Sequence, residues 1–168
     1  MEHLFVGLKR ANRLLNKFFM IAGGVAVLAL MSLATGNVML RIFRLPYSGA
    51  YELISFLGAV VIASALGYTQ MRHDHIIVDI ITERYSEKAA EVVEGLAGLV
   101  MAIFFVLVAW QVWVWGVKIQ VSGEVSETLK VVYHPYVFFL SAGFAAAALT
   151  ALLDCVRDLL LYAGVLKK

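Results

Sequence analysis

Four stretches of this chain contain no aspartate, glutamate, lysine or arginine, and each is 19 to 23 residues long. An α-helix rises about 1.5 Å per residue, so a stretch of this length crosses a hydrocarbon core of about 30 Å. Soluble domains carry about 25% charged residues, whereas this chain carries 15%. We therefore predict an all-α membrane protein with one domain over residues 1–168 and transmembrane helices at 18–40, 53–71, 95–117 and 131–153.

The lysine and arginine residues that flank these spans are distributed unevenly. Ten of the 14 lie in the N-terminal segment, in the link after span two and at the C-terminal end. Cytoplasmic flanks are enriched in positive residues, so both termini are predicted to be cytoplasmic. The net charge of +2 follows from this topology and does not indicate nucleic-acid binding. The four positive residues on the other side are Arg41, Arg44, Lys118 and Lys130.

Two segments outside the spans mix apolar and charged residues at helical spacing. They cover residues 1–17 and 75–85, and we predict interfacial amphipathic helices on the cytoplasmic surface. By spacing alone, His73, His75 and Asp79 could share a metal ion. An interfacial network of polar groups explains these residues more simply, so no metal site is predicted.

Small residues recur every fourth position in span two, at Ser55, Ala59, Ala63 and Gly67. This spacing places them on one ridge of the helix, where another helix can approach closely. The contact is either with a helix of the same chain or with a partner subunit. The sequence leaves both interpretations open.

Charged residues surround the loop between spans one and two, in which Pro46 breaks the helix. The helix dipole favours an acid such as Glu52 at a helix start, so a purely structural role is one interpretation. The other interpretation is that Arg41 and Glu52 brace the loop, while the more exposed Arg44 is available to a partner.

The sequence contains no arrangement that is typical of an enzyme. It has no nucleophile beside a base, no phosphate-binding glycine loop and no Cys or His set at metal-ligand spacing. A protein that moves a polar solute by itself usually has ionisable residues or broken helices near mid-membrane, and none lies near the middle of the four uncharged stretches. We expect a non-catalytic chain without cofactor or metal that is only part of a transport system.

Taken together, these residues resemble the small membrane subunit of tripartite ATP-independent periplasmic (TRAP) transporters, the DctQ-like family. The most specific matches are Arg41, Pro46 and Glu52 in the outer loop and the His75-Ile-Ile-Val-Asp79 pattern after span two. Thr128 and Pro135 fit a weaker pattern before span four. Tyr51 departs from the pattern, because it stands where many relatives carry a second acid beside Glu52.

The resemblance implies two partners, a large multi-span transporter subunit (DctM-like) and a periplasmic substrate-binding protein (DctP-like), besides the membrane lipids. It also implies the bacterial inner membrane, sodium-coupled import of an organic acid anion and a bracing role for this subunit. The candidate contacts with the binding protein are then the charged residues of the outer loops. They are Arg44, Glu124, Glu127 and Lys130.

Two other functions are compatible with four apolar helices. A haem- or quinone-binding membrane anchor of an oxidoreductase would need two histidines on facing helices inside the bilayer. His134 is the one histidine in an uncharged stretch, and it lies at the edge. A free-standing four-span structural protein is the other alternative, and co-purification of a large membrane subunit would exclude it.

Overall fold

The computed structural model describes residues 2–45, 47–72 and 87–162, and their side chains over 7–45, 47–71 and 96–156. Its helices are α1 (Glu2–Ile42), α2 (Ala50–Arg72), α3 (Glu87–Ser122) and α4 (His134–Tyr162). All four are long and apolar enough to cross a membrane, which confirms the predicted all-α membrane fold. Pro46, His75, Asp79 and the predicted interfacial segment 75–85 lie outside the described residues.

Helix α1 is longer than one bilayer crossing because nothing breaks it between residues 2 and 42. Its 41 residues correspond to about 60 Å, twice the thickness of the hydrocarbon core. The basic segment predicted at residues 1–17 is therefore continuous with the first span. Asn12 and Asn16 in this segment are buried, so it packs on the bundle along one face.

The first and third helices each end beside a residue in the left-handed conformation. Arg44 has a φ of 59° and Gly123 a φ of 68°. At the end of α1 the N–H of Leu45 donates to the carbonyl of Leu40 at 2.9 Å. Such caps pair carbonyl groups that the end of a helix leaves without partners.

Helix α4 lies at the centre of the bundle. It packs against α3, α2 and the N-terminal part of α1, while α2 also packs along α1. Half of the most apolar window of α4 is buried, compared with 17% for α1 and for α3. Small residues such as Ala147 and Ala151 form its buried face. In lipid no hydrophobic effect drives helices together, so close packing of small side chains has to do so.

The closest approach of α2 and α4 occurs at Gly143. A Cβ atom at this position would lie 2.7 Å from the Cα of Ala63 and 2.8 Å from its carbonyl carbon. Between α1 and α2, a Cβ at Gly23 would lie 2.7 Å from the Cβ of Ser64. Neither contact leaves room for a larger residue.

The small-residue ridge of α2 is divided between two environments. Ala63 and Gly67 are buried, Ala63 against α4 and Gly67 between Asn16 of α1 and Ala146 of α4. Ala59 is half-buried and Ser55 is exposed. We call Ala63 and Gly67 the inner half of the ridge, and Ser55 and Ala59 its outer half. The inner half is covered within this chain, whereas the outer half is accessible.

Candidate functional site

The carboxylate of Glu52 joins the start of α2 to the loop between α3 and α4. Glu52 lies in the first turn of α2, where the helix dipole favours an acid. Its two oxygens accept hydrogen bonds from the backbone N–H groups of Thr128, at 2.7 Å, and Leu129, at 2.9 Å. Hydrogen bonds to an ionised group are stronger than neutral ones. We call this arrangement the Glu52 clamp.

The loop that the clamp holds is also closed on itself. The N–H of Ser126 donates to the carbonyl of Val131 at 2.8 Å, and its Oγ accepts from the N–H of Val131 at 3.1 Å. Val125 and Val132 form an isolated antiparallel bridge just outside this pair. Ser126 is fully buried, so the loop presents its two donor N–H groups to Glu52 from a fixed backbone.

Apolar contacts lie beneath the clamp. A Cβ at Gly49 would lie 2.7 Å from the Cγ of Leu129, so the leucine rests directly on the backbone before α2. Phe56 of α2 stacks on Tyr136 of α4, with ring centroids 4.3 Å apart and an interplanar angle of 8°. The same phenylalanine meets Tyr133 edge-on at 5.5 Å. Aromatic pairs of this kind add about 0.5–1.5 kcal/mol beyond area burial.

The end of α1 is attached to the start of α2 by separate hydrogen bonds. Arg41 donates from Nη2 to the hydroxyl of Tyr51 at 2.7 Å. Asn37 Oδ1 accepts from the N–H of Tyr47 at 3.1 Å. Two residues were expected to brace the outer loop, Arg41 and Glu52. They form hydrogen bonds with different partners. Tyr51, the residue that departs from the expected pattern, accepts the hydrogen bond from Arg41 with a hydroxyl group in place of a carboxylate.

The other charged residues predicted on this surface are exposed at the same end of the bundle. Arg44 and Lys130 both have left-handed backbones, with φ of 59° and 56°. Glu124 Oε1 accepts from the Oγ of Ser122 at 3.1 Å, and Glu127 is exposed. The structure therefore brings the four candidate contact residues to the end of the bundle that carries the Glu52 clamp.

A second polar cluster lies toward the opposite end of the bundle, between α1 and α4. Asn12, Asn16 and Thr150 are each at most 6% exposed. Thr150 Oγ1 accepts from the side-chain amides of Asn12 and Asn16, both at 3.1 Å, and donates to the carbonyl of Ala146 at 2.9 Å. The Asn16 amide also donates to Asn12 Oδ1 at 3.2 Å. This Asn-Thr cluster fixes the N-terminal part of α1 to the central helix.

Among the side chains that the structure describes, three buried oxygens have no hydrogen-bond partner: Asn16 Oδ1, Ser64 Oγ and Gln70 Oε1. Asn16 Oδ1 lies against Gly67, at the place that a Cβ would occupy. A Cα–H donor can satisfy such an oxygen only weakly, and an unpaired buried acceptor costs about 1–3 kcal/mol. The side chains of Asn16, Ser64 and Gln70 are neutral, so the arrangement joins helices and contains no acid or base.

The Asn-Thr cluster was not predicted from the sequence. Asn12 and Asn16 lie four residues apart, so both fall on one face of α1. The leucines and cations of this segment predict an amphipathic helix, but they do not indicate what the two asparagines contact. The signal that could have found the cluster is a pair of neutral amides at helical spacing, because such groups need a partner when they are buried in a membrane protein.

No metal-binding group appears within residues 2–45, 47–72 and 87–162, since no three His, Cys, Asp or Glu residues come together there. His134, the histidine considered for a haem ligand, begins α4. It meets Phe138 edge-on at 6.0 Å. In the described part of the chain, the polar groups around Glu52 and around Thr150 connect helices and loops to one another.

A family match identifies the kind of membrane protein that carries these two polar sites. Residues 30–161 match the family described as the DctQ component of tripartite ATP-independent periplasmic transporters. The chain belongs to the DctQ family. No curated protein and no solved structure matches it.

Membership in the DctQ family makes this chain the small membrane component of a TRAP transporter. It is therefore a multi-pass protein of the inner membrane, and it works with the other components of a tripartite system. The Glu52 clamp and Thr150 lie inside the matched residues, whereas Asn12 and Asn16 precede them.

Proposed function

We propose that this DctQ chain is the non-catalytic scaffold of a sodium-coupled transporter that imports an organic acid anion. A large multi-span subunit (DctM-like) carries the substrate and the sodium ions. A periplasmic substrate-binding protein (DctP-like) delivers the anion. The small chain keeps its shape in the bilayer while the large subunit moves against it.

The observation that carries this proposal is the Glu52 clamp, combined with the Asn-Thr cluster toward the other end. Moving elements of transporters need two arrangements of similar free energy. Here hydrogen bonds fix α2 to the α3–α4 loop at one end and α1 to α4 at the other. The contact of Gly143 with Ala63 closes the bundle between them. Such a bundle suits a static support.

The uncharged spans support the same assignment of roles, with transport by the large subunit and support by this chain. Ionisable residues inside a membrane usually mark the path of an ion or a polar solute. Apart from His134 at the edge of the fourth, the four uncharged stretches of this chain contain no Asp, Glu, Lys, Arg or His. The proposal therefore assigns transport of the anion and of sodium to the large subunit.

We further propose that a helix of the large subunit packs on the outer half of the α2 ridge. Ser55 and Ala59 are accessible there, and the Ser55 hydroxyl is already bonded to the carbonyl of Tyr51 at 2.9 Å. A surface of small residues allows two helix backbones to approach closely. Ala63 and Gly67 contribute indirectly, since they hold α2 against α4.

The proposed orientation places both termini in the cytoplasm and the Glu52 clamp at the periplasmic surface. The asymmetry of lysine and arginine supports this orientation. The exposed charges at Arg44, Glu124, Glu127 and Lys130 then face the compartment of the binding protein. Exposed charges of this kind mainly change encounter rates and their dependence on salt.

Affinity purification of the tagged chain from its native membrane, followed by mass spectrometry, tests the partnership. We expect a large multi-span subunit in stoichiometric amount. Ala59→Leu should lower its yield, because a bulkier side chain separates the packed backbones. The matched control is Ala29→Leu on an exposed part of α1. Purification of the chain alone, or with oxidoreductase subunits, would refute the proposal.

A further inference from the structure

The face of α1 that points away from the bundle carries three cations in one stripe. Asn12 and Asn16 are buried against α4, which fixes the rotation of α1 at this level. Arg10, Arg13 and Lys17 are exposed. Their spacings of three and four residues place them on one side of the helix, about 110° around the helix axis from the buried asparagines.

Exposed apolar residues continue this stripe along α1. Leu14, Phe18, Ile21 and Val25 are each more than half exposed. Residues 18–40 contain no charge and span about 34 Å, close to the thickness of the hydrocarbon core. The three cations therefore lie just beyond the core, at the depth of the lipid headgroups.

The charge of this stripe is not neutralised by the acids that the structure describes. Lys9 is partly buried at the edge of the bundle, with its Nζ 3.9 Å from Asp154 Oδ1. Arg10, Arg13 and Lys17 form no ion pair within the side chains described over 7–45, 47–71 and 96–156. Each is thus available to an anion from the membrane.

We propose that this outward face of α1 is a binding site for an anionic phospholipid. The phosphate accepts hydrogen bonds from Arg10, Arg13 and Lys17, since guanidinium and ammonium groups bind phosphate oxygens strongly. The acyl chains lie along Phe18 and Ile21. Cations followed by apolar side chains match the order in which a bilayer presents headgroup and hydrocarbon.

This site is independent of the scaffold role, because it needs neither the large subunit nor the binding protein. An acidic segment of a partner protein would satisfy the cations but would leave the exposed apolar residues beside them without a matching surface. A lipid satisfies both parts. The rigid attachment of α1 through Thr150 keeps the stripe turned toward the lipid.

The thermal unfolding midpoint of the full-length chain in a neutral detergent tests the proposal. Added dioleoyl phosphatidylglycerol should raise the midpoint, and dioleoyl phosphatidylcholine should not. The variant Arg10→Gln/Arg13→Gln/Lys17→Gln should need about ten-fold more phosphatidylglycerol, or more, for half of the effect. Sodium chloride should weaken the response of the wild-type chain, because salt screens exposed charges.

The matched control is Arg44→Gln/Lys118→Gln/Lys130→Gln, which removes three cations at the opposite end of the bundle and should respond like the wild-type chain. Circular dichroism shows whether both variants keep their helices.

Equal midpoints of the wild-type chain in the two lipids would overturn the proposal without any variant. An equal loss in both triple variants would also overturn it, because net charge alone would then explain the effect. An unchanged lipid response in the first variant would overturn it as well.

Discussion

Glu52 illustrates how one side chain can join two elements that are distant in sequence. Its partners lie 76 and 77 residues away. In the variant Glu52→Gln, an NH2 group replaces one of the two carboxylate oxygens and places donors against the N–H group that this oxygen accepted from. We expect a lower thermal unfolding midpoint for the purified chain. The control is Glu127→Gln, which removes the same charge from an exposed position in the clamped loop. Equal midpoints for the two variants would show that the clamp does not stabilise the fold.

The hydrogen bonds of Asn16 and Thr150 make a second prediction at this scale. In a double-mutant cycle of Asn16→Ala and Thr150→Val, we expect a coupling of about 0.5–1.5 kcal/mol in the free energy of unfolding. The measurement is unfolding in sodium dodecyl sulfate, followed by circular dichroism. Ser141 donates to the carbonyl of Ala109 at 2.9 Å and has no part in this cluster. Ser141→Ala should therefore be additive with Asn16→Ala, and similar coupling in both cycles would contradict the assignment.

At the scale of helices, the packing of α2 against α4 depends on the absence of one Cβ atom. Gly143→Ala would push a methyl group into the backbone of Ala63, and overpacking of this kind costs about 1–3 kcal/mol. Gly24→Ala offers a contrast, since a Cβ there has nothing within 4 Å. It should be neutral or stabilise the chain by up to about 1 kcal/mol. The measurement is the free energy of unfolding of each variant. An unchanged free energy of unfolding for Gly143→Ala would contradict the close packing, because α2 and α4 would then separate easily.

The sequence predicted those features of the helices that depend on local pattern. Four uncharged stretches were sufficient to predict four membrane helices, because the bilayer imposes a length and a composition on each span. Spacing of four placed Ala63 and Gly67 on one ridge. The identity of the contacting helix could not be predicted, since small residues permit any close approach and specify no partner.

The polar contacts were harder to predict for a physical reason. Glu52 was identified as a functional position, but its partners are backbone N–H groups, which every residue except proline carries. No side-chain pattern in the loop therefore marks Thr128 and Leu129 as donors. The Asn-Thr cluster joins residues 12 and 150, and the pairing of two such distant segments depends on how the four helices are arranged.

At the scale of the whole molecule, we propose a bundle whose shape is fixed and whose function depends on partners. Helix α4 holds the other three together, and the chain is the DctQ component of a tripartite transporter. A scaffold of this kind should be necessary for transport and should not transport anything alone. The same bundle should tolerate changes on surfaces that face lipid and fail when its internal contacts are broken.

Uptake of a radiolabelled organic acid anion into proteoliposomes tests this central claim most directly. The large subunit is reconstituted with the binding protein and an inward sodium gradient, either with the wild-type chain, with the Gly143→Ala variant or without the chain. We predict full uptake with the wild-type chain, reduced uptake with the variant, and no uptake without the chain or with the chain alone. Uptake of the same rate without this chain would contradict the account, and so would sodium-driven uptake by this chain without the large subunit.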